Sequence, residues 1–275
     1  MKMKKLNFII KYGLALLLLS FYSCESWLNV TPSDRLSEEM LFNDREGFVK
    51  ALNGVYIELN TNELYGRNLT AGALDVMGQY YSVASSSHAF YNYGGLVYTG
   101  NDEKALFDNM WQKCYAVIAC CNTIIEKCDE NKAGLSPVWK GSIKGEALAL
   151  RAMLHFDMLR LFGPLTSELD KESIPYQTNS DQTVTPLLSG SEVIGLILDD
   201  LKNAVGLLKD TDPYFVEEEF SDTDLNYRRF RMNYFAAKGL MARVQLWGGD
   251  KEKAAITAKE VIAEGQAEGA EFSLL

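Results

Sequence analysis

Between residues 103 and 129 the apolar side chains recur at steps of three and four: Phe107, Met110, Cys114, Val117, Cys121, Ile124 and Cys128. That period is the pitch of an α-helix, and a stripe sustained for so long must be buried along its whole length. It excludes a strand here and calls for helical partners. The chain supplies them on both sides. Residues 34–59 place Phe48, Leu52, Val55 and Leu59 on one face. Ser136-Pro137 is a helix start, the Ser capping and the Pro standing at the first position. The helix it opens carries Ala147, Leu150, Leu154, Met158 and Leu161 inward and ends at Phe162, before Gly163-Pro164.

A polar connection, 166–189, leads to a helix over 190–208, with Ile194, Ile197, Leu201, Val205 and Leu208 inward. A loop over 210–231 runs from Glu217-Glu218-Glu219 to Arg228-Arg229. Two final helices, 233–247 and 250–264, are parted only by Gly248-Gly249-Asp250. Ala237, Ala242, Leu246 and Trp247 precede that turn, and Ala254, Ala258 and Ile262 follow it. Small residues on both sides let antiparallel helices approach closely, with Ala237, Ala242, Ala254 and Ala258 expected to line the contact. This arrangement is tetratricopeptide-like. With no strand-like alternation outside the loops, the expected fold class is all-α, a helical-repeat scaffold with long irregular loops.

The chain has 275 residues, which suits one large domain or two small ones, either with a proper core. Acidic residues outnumber basic ones, 37 to 27, and four of the lysines (Lys2, Lys4, Lys5, Lys11) lie at the very start. So acidic a surface excludes nucleic acid, whose phosphates need clustered Lys and Arg. It equally excludes attachment to anionic lipid through a basic patch. The start offers another route to a membrane. After the lysines, residues 12–23 are uncharged and centre on a leucine run, too short for the ~20 residues that span a bilayer. A basic start, a short apolar middle and a small residue, Ser23, describe an export signal. Cys24 follows directly. Residues 1–23 thus resemble a bacterial lipoprotein signal, with Cys24 the acylated first residue of the mature chain. Phe21 and Tyr22 stand where such signals favour Leu and a small residue.

Cys114, Cys120, Cys121 and Cys128 share one helical stretch. Steps of seven along a helix separate Cα atoms by roughly 10 Å, beyond disulfide reach. They read as small buried hydrophobes.

No catalytic constellation emerges. The two histidines, His88 and His155, have no Cys or His at zinc spacing, and His155, between Leu154 and Phe156, reads as structural. There is no phosphate loop and no GxSxG elbow. The run 217–224 lacks the Gly and alternating ligands of a calcium loop and reads as solvated. No metal and no cofactor are expected. What remains is the stretch 61–101, rich in Gly, Ser, Asn and Tyr and without helical period. Within it stand Asp75, Gln79, Tyr80, Tyr81, Tyr91, Asn92, Tyr93 and Tyr98. Flat rings cover the C–H faces of sugars, while Asp, Asn and Gln bond their hydroxyls. These eight are the candidate glycan-binding residues. The alternative use of each Tyr is to pack the loops onto the helices.

Several segments in order resemble the SusD/RagB family of outer-membrane nutrient-binding lipoproteins of Bacteroidetes. They are Cys24 through Pro32, then the Ala51 to Tyr56 run; Trp111, Tyr115, Ile118 and Asn122; Gly145-Glu146-Ala147 with Leu150-Arg151-Ala152 and Leu161-Phe162-Gly163; Asp200-Leu201; and Ala236 to Val244 with Leu246-Trp247 and Gly249-Asp250. The resemblance implies a surface-exposed, lipid-anchored protein of the outer membrane. It implies capture of oligosaccharides, without hydrolysis, for a SusC-like TonB-dependent transporter. Members are about twice as long, so residues 24–275 are expected to be the N-terminal helical-repeat part, lacking the C-terminal half. Ligand residues vary with substrate in the family, so no contact carries over. Three readings follow: a glycan-capture lipoprotein, a helical adaptor that only contacts the transporter, or a truncated remnant. Exposed rings in 72–101 favour the first, and burial of all of them the second.

Overall fold

The computed structural model describes residues 38–181, 183–216, 220–221 and 227–267. The chain divides into two compact units, residues 1–41 and 42–275. Of the first, only one helical turn is described, α1, Glu38–Leu41. The boundary at residue 23 and Cys24 itself lie outside the described residues, as does most of the acidic run 217–224.

In the second unit α2 spans Arg45–Leu59, capped by Asp44, whose carboxylate accepts from Gly47 N at 2.8 Å. Its buried row is Phe48, Leu52, Val55 and Leu59, as the period requires. The long stripe becomes α5, Asn101–Glu130, with Met110, Cys114, Val117, Cys121, Ile124 and Cys128 buried. Cys120 is exposed, contrary to the reading of all four cysteines as core. It stands one residue, and so ~100° of turn, away from Cys121 on the stripe. Between α2 and α5 lie two short helices, α3 (Ala73–Met77) and α4 (Tyr91–Gly94).

The helix α6, Pro137–Phe162, begins as expected, Ser136 Oγ accepting from Trp139 N at 3.3 Å. Its interior differs from expectation. Residues 145–152 are all buried, so the helix has no solvent face there and no single inward row. After it, Glu172–Pro175 (β1) and Leu187–Ser189 (β2) pair antiparallel, Glu172 opposite Ser189 and Pro175 opposite Leu187. Strands of four and three residues are too short to display alternation, so the sequence shows only a polar connection. Ser189 and Glu192 form a capping box at the start of α7, Gly190–Thr211. Ala204 takes a core position on α7, while Val205, expected inward, is half-buried. The last pair is α8 (Tyr234–Trp247) and α9 (Lys251–Ala267). Gly249 turns between them at φ 92, a left-handed geometry that favours glycine.

Each long helix packs on its neighbour in sequence: α2 on α5, α5 on α6, α6 on α7, α7 on α8, α8 on α9. This is the nearest-neighbour stacking of a helical repeat, tetratricopeptide-like and all-α but for the small hairpin. The largest contact is α6 with α7. There an added Cβ at Gly145 would lie 2.8 Å from Leu208 Cγ, and one at Gly141 2.5 Å from Thr211 Cγ2. In the α8–α9 contact, Ala237, Ala242, Ala254 and Thr257 are buried. Ala258 is exposed and does not line the pair as expected, and Leu246 and Ile262 are 58% and 45% exposed. The main partner of α9 among the described residues is α8, which covers only a narrow strip of it.

Candidate functional site

The segment from residue 60 to 100 is irregular yet firmly attached. Leu64, Ala73 and Val76 enter the core. Tyr65 donates from its hydroxyl to Asp157 Oδ2 on α6 at 2.6 Å. At Gly72 the chain passes so close to Arg67 that an added Cβ would lie 2.6 Å from its carbonyl oxygen. Backbone hydrogen bonds within the turns, among them Tyr65 N to Leu59 O and Leu69 N to Leu64 O, satisfy a stretch that has no regular ladder.

The five candidate tyrosines divide. Tyr93 is 2% exposed, its ring 5.8 Å from Phe90 and 6.0 Å from Phe107, both edge-on. Tyr98 meets Phe107 perpendicularly at 5.5 Å, and Phe107 and Trp111 both pack against Phe162. These contacts hold the loop to α5 and α6. Burial, aided by the nearby Glu103 and Asp102 carboxylates, pushes the Tyr93 hydroxyl up to about 12. Tyr80, Tyr81 and Tyr91 are 80%, 56% and 42% exposed.

Two of the polar candidates, Gln79 and Asn92, act as struts. Gln79 takes a left-handed backbone (φ 62), and its Nε2 donates to Gly94 O at 3.0 Å. That bond sets the segment carrying Tyr80 and Tyr81 beside the one carrying Tyr91. Asn92 Nδ2 donates to Glu103 Oε1 at 2.7 Å, while the half-buried Asp75 accepts from Tyr80 N through its carbonyl at 3.0 Å. His88, exposed, accepts from Phe90 N through Nδ1 at 3.1 Å. Two further residues join the surface unforeseen, Leu96 and Val97, both exposed. Leu96 stands at φ 56, a strained geometry for a bulky side chain; the preceding Gly94-Gly95 was its only sequence signal. From Val76 to Asn101 the chain holds no Asp, Glu, Lys or Arg.

Two buried polar networks, neither foreseen, brace the helices beneath. In the first, Arg151 forks onto Asp200 with two bonds of 2.7 Å, and the Tyr176 hydroxyl donates to the same carboxylate at 2.6 Å. Arg151 also donates to Asn122 Oδ1 at 2.9 Å, and Asn122 Nδ2 in turn donates to Asn179 O at 2.8 Å. His155 lies against Tyr176, bonded through Nδ1 to Arg151 O and accepting from Gln177 N at Nε2, both at 3.0 Å. Burial holds its imidazole neutral, down to about 3. In the second, Glu146 accepts from Tyr56, Arg228 and Arg231, and Arg228 forks onto Asp212. Arg228, at the basic end of an apparent surface loop, is therefore buried. Both networks are saturated, and their groups serve the scaffold. Among the described residues no three His, Cys, Asp or Glu side chains gather to hold a metal.

A family model described as starch-binding and associating with the outer membrane matches residues 26–246. The chain belongs to this SusD-like family. A SusD-like protein of Formosa agariphila, P2, is 26% identical over 269 residues, covering 95% of this chain and 46% of its own. A SusD-like protein of Bacteroides ovatus is 30% identical over 146 residues, or 52% of this chain and 23% of its own. Among solved structures, a SusD superfamily protein of Bacteroides thetaiotaomicron superposes with a TM-score of 0.63 at 22% identity, covering 84% of this chain and 48% of that one. A laminarin-binding SusD-like protein superposes at 0.60 and 18% identity, covering 80% and 43%. The chain thus spans about half the length of the Formosa agariphila and Bacteroides thetaiotaomicron proteins. The SusD-like segments noted in the sequence coincide with scaffold positions: Gly145 in the α6–α7 contact, Glu146, Arg151 and Asp200 in the networks, Gly249 in the last turn. The 72–101 candidates are not among them, so the family likeness leaves the ligand surface open. Among the described residues no helix is long and apolar enough to cross a membrane.

Proposed function

We propose that this chain binds neutral oligosaccharides at the outer membrane, through Tyr80, Tyr81 and Tyr91 on the 72–101 loops. In this reading it is anchored by an acylated Cys24, hands its ligand to a SusC-like TonB-dependent transporter, and performs no hydrolysis. The observation that carries the reading is the contrast within the loop: two tyrosines hold it down and three stand in solvent on a stretch without a charged side chain. Exposed rings on a braced loop suit the C–H faces of a sugar. Residues 76–101 bring no Lys or Arg of their own, and beside them the exposed Arg67 guanidinium is engaged over the Phe90 ring, so the rings favour neutral sugars over uronate or sulfate groups, which need a cationic partner. Leu96 and Val97 extend the apolar ground beside the rings.

The test is calorimetry or affinity electrophoresis against neutral and acidic glycans. Tyr80→Ala, Tyr81→Ala or Tyr91→Ala should weaken the bound glycan by ~1 kcal/mol or more where the ring is central, without changing thermal unfolding. Tyr93→Ala should act through stability instead. A glycan whose affinity none of the three substitutions alters, or a preference for acidic glycans, refutes the surface. Fatty-acid labelling abolished by Cys24→Ala checks the anchor. Release of reducing ends that a single carboxylate substitution abolishes would refute the absence of hydrolysis.

A further inference from the structure

Residues 227–232, leading into α8, combine firm attachment with display. Arg228 is buried, forked onto Asp212 at 2.9 and 2.6 Å and bonded to Glu146 on α6. Arg231 donates to Glu146 at 2.7 Å and to Asn53 on α2 at 2.6 Å. Met232 N donates to the Tyr56 hydroxyl at 2.8 Å, and Phe230 N closes the turn onto Tyr227 O at 3.0 Å. Yet Tyr227 and Phe230, on either side of the buried Arg228, are 62% and 69% exposed. Their exposure is fixed by the turn and is not a sign of looseness. Large rings held in water on a pinned turn mark a contact surface.

Both rings line a cavity of about 480 Å³ between α2, α6 and this segment, which shares no residue with the 72–101 loops. Its size lies within the roughly 300–1,000 Å³ of small-molecule sites. Other rings on the lining are already covered: Trp139 by the Arg45 guanidinium at 4.8 Å and Phe220 at 4.5 Å, and Tyr56 by Arg231 at 4.6 Å. The Tyr227 side chain has no partner among the described residues. Phe230 is met only by Arg229, 4.8 Å from its ring centre and not itself on the lining. The free aromatic surface of the cavity therefore lies at these two rings. Beneath them the charges balance, Glu146 and Asp212 being matched by Arg228 and Arg231, so no counter-charge is asked of a ligand. The lining also carries Asn53 and Ser142. Rings for C–H faces, with an amide and hydroxyls for the polar rim, are the complement of a sugar.

We infer that this cavity is a second sugar-binding site, taking a neutral sugar unit against Tyr227 and Phe230. It shares its ligand class, neutral glycans, with the reading of the 72–101 loops, and none of its residues. The probes are neutral hexasaccharides with gluco-, manno-, galacto- and xylo-backbones. They are titrated calorimetrically into the full chain and into a Tyr80→Ala/Tyr81→Ala/Tyr91→Ala variant that lacks the loop rings. At least one of these glycans should still bind the triple variant. In that background Tyr227→Ala and Phe230→Ala should each weaken it at least fivefold, with thermal unfolding unchanged because both side chains are exposed. Hexanol, apolar but without a hydroxyl-bearing ring, should bind at least tenfold more weakly than the glycan. No glycan bound by the triple variant, affinity intact after either ring substitution, or hexanol as tight as the glycan overturns the inference. If the loop rings prove irrelevant while Tyr227 and Phe230 matter, only the loop reading falls.

Discussion

The α6–α7 and α8–α9 pairs both bring small residues to a helix contact, yet they are held together differently. In the first, Gly141 and Gly145 leave no room for a methyl group, and α6 is enclosed on every side over 145–152. The Arg151–Asp200 fork and Tyr176 then lock the two helices in register. In the second, the contact is a narrow strip of Ala237, Ala254 and Thr257, tied at its edge by Lys238 to Glu260 and Glu264. No glycine of α8 is tightly packed: an added Cβ at Gly239 meets nothing within 4 Å. A small residue is thus required where helices are enclosed, and merely tolerated where one flank is open.

The contrast can be broken most forcefully at Arg151. Arg151→Met leaves Asp200 buried without its cation and should lower stability by ~3–5 kcal/mol, read by chemical denaturation. Replacing Lys238, whose partners are about half exposed, should cost far less. Gly145→Ala should destabilise by ~1–3 kcal/mol through overpacking against Leu208, although alanine is the better helix former. Gly239→Ala, made in the other pair, should have the opposite sign and stabilise by ~0.5–1 kcal/mol. Equal effects at the two glycines would erase the distinction.

A pH titration sharpens it further, because His155 belongs to the enclosed region. The unfolded chain takes up this proton near 6.5, whereas the folded imidazole resists until about 3. Throughout that window the unfolded state binds more protons, so stability is full above 6.5 and falls as the pH drops, on the order of 1 kcal/mol per pH unit. Thermal unfolding between pH 6.5 and 5, above the carboxylate range, should show this slope, and His155→Gln should flatten it. The smallest effect belongs to the open pair: Ala258→Leu should leave stability within ~0.5 kcal/mol, and a larger loss would return Ala258 to the helix contact.

The 72–101 loops show how far pattern reading reaches into the candidate site. Composition alone singled out the stretch, since five tyrosines without helical period are conspicuous. It could not sort them, because Tyr93 and Tyr91 differ by two positions in a segment where no period assigns a face. Their division rests on Phe107, Phe162 and Trp111, supplied by two distant helices. Gln79 and Asn92 read as sugar ligands for their amides, and those amides are used to hold the loop.

Residue pattern was enough to specify the helices and their caps: the stripe of α5, the Ser136-Pro137 start, the Gly249 turn. Those depend on residues within a few positions of one another, where period and capping chemistry act directly. It also carried the family likeness, through residues that hold the scaffold. The tertiary structure alone decided which polar residues go inside. Glu146 and Arg228 are 82 positions apart, as Arg151 and Asp200 are 49, and a charge on a helix looks the same in sequence whether it meets water or a buried partner. It alone decided, for the same reason, that Gly145 is indispensable and Ala258 is not. What a side chain must fit is set by the helix packed against it, and no local pattern records that neighbour.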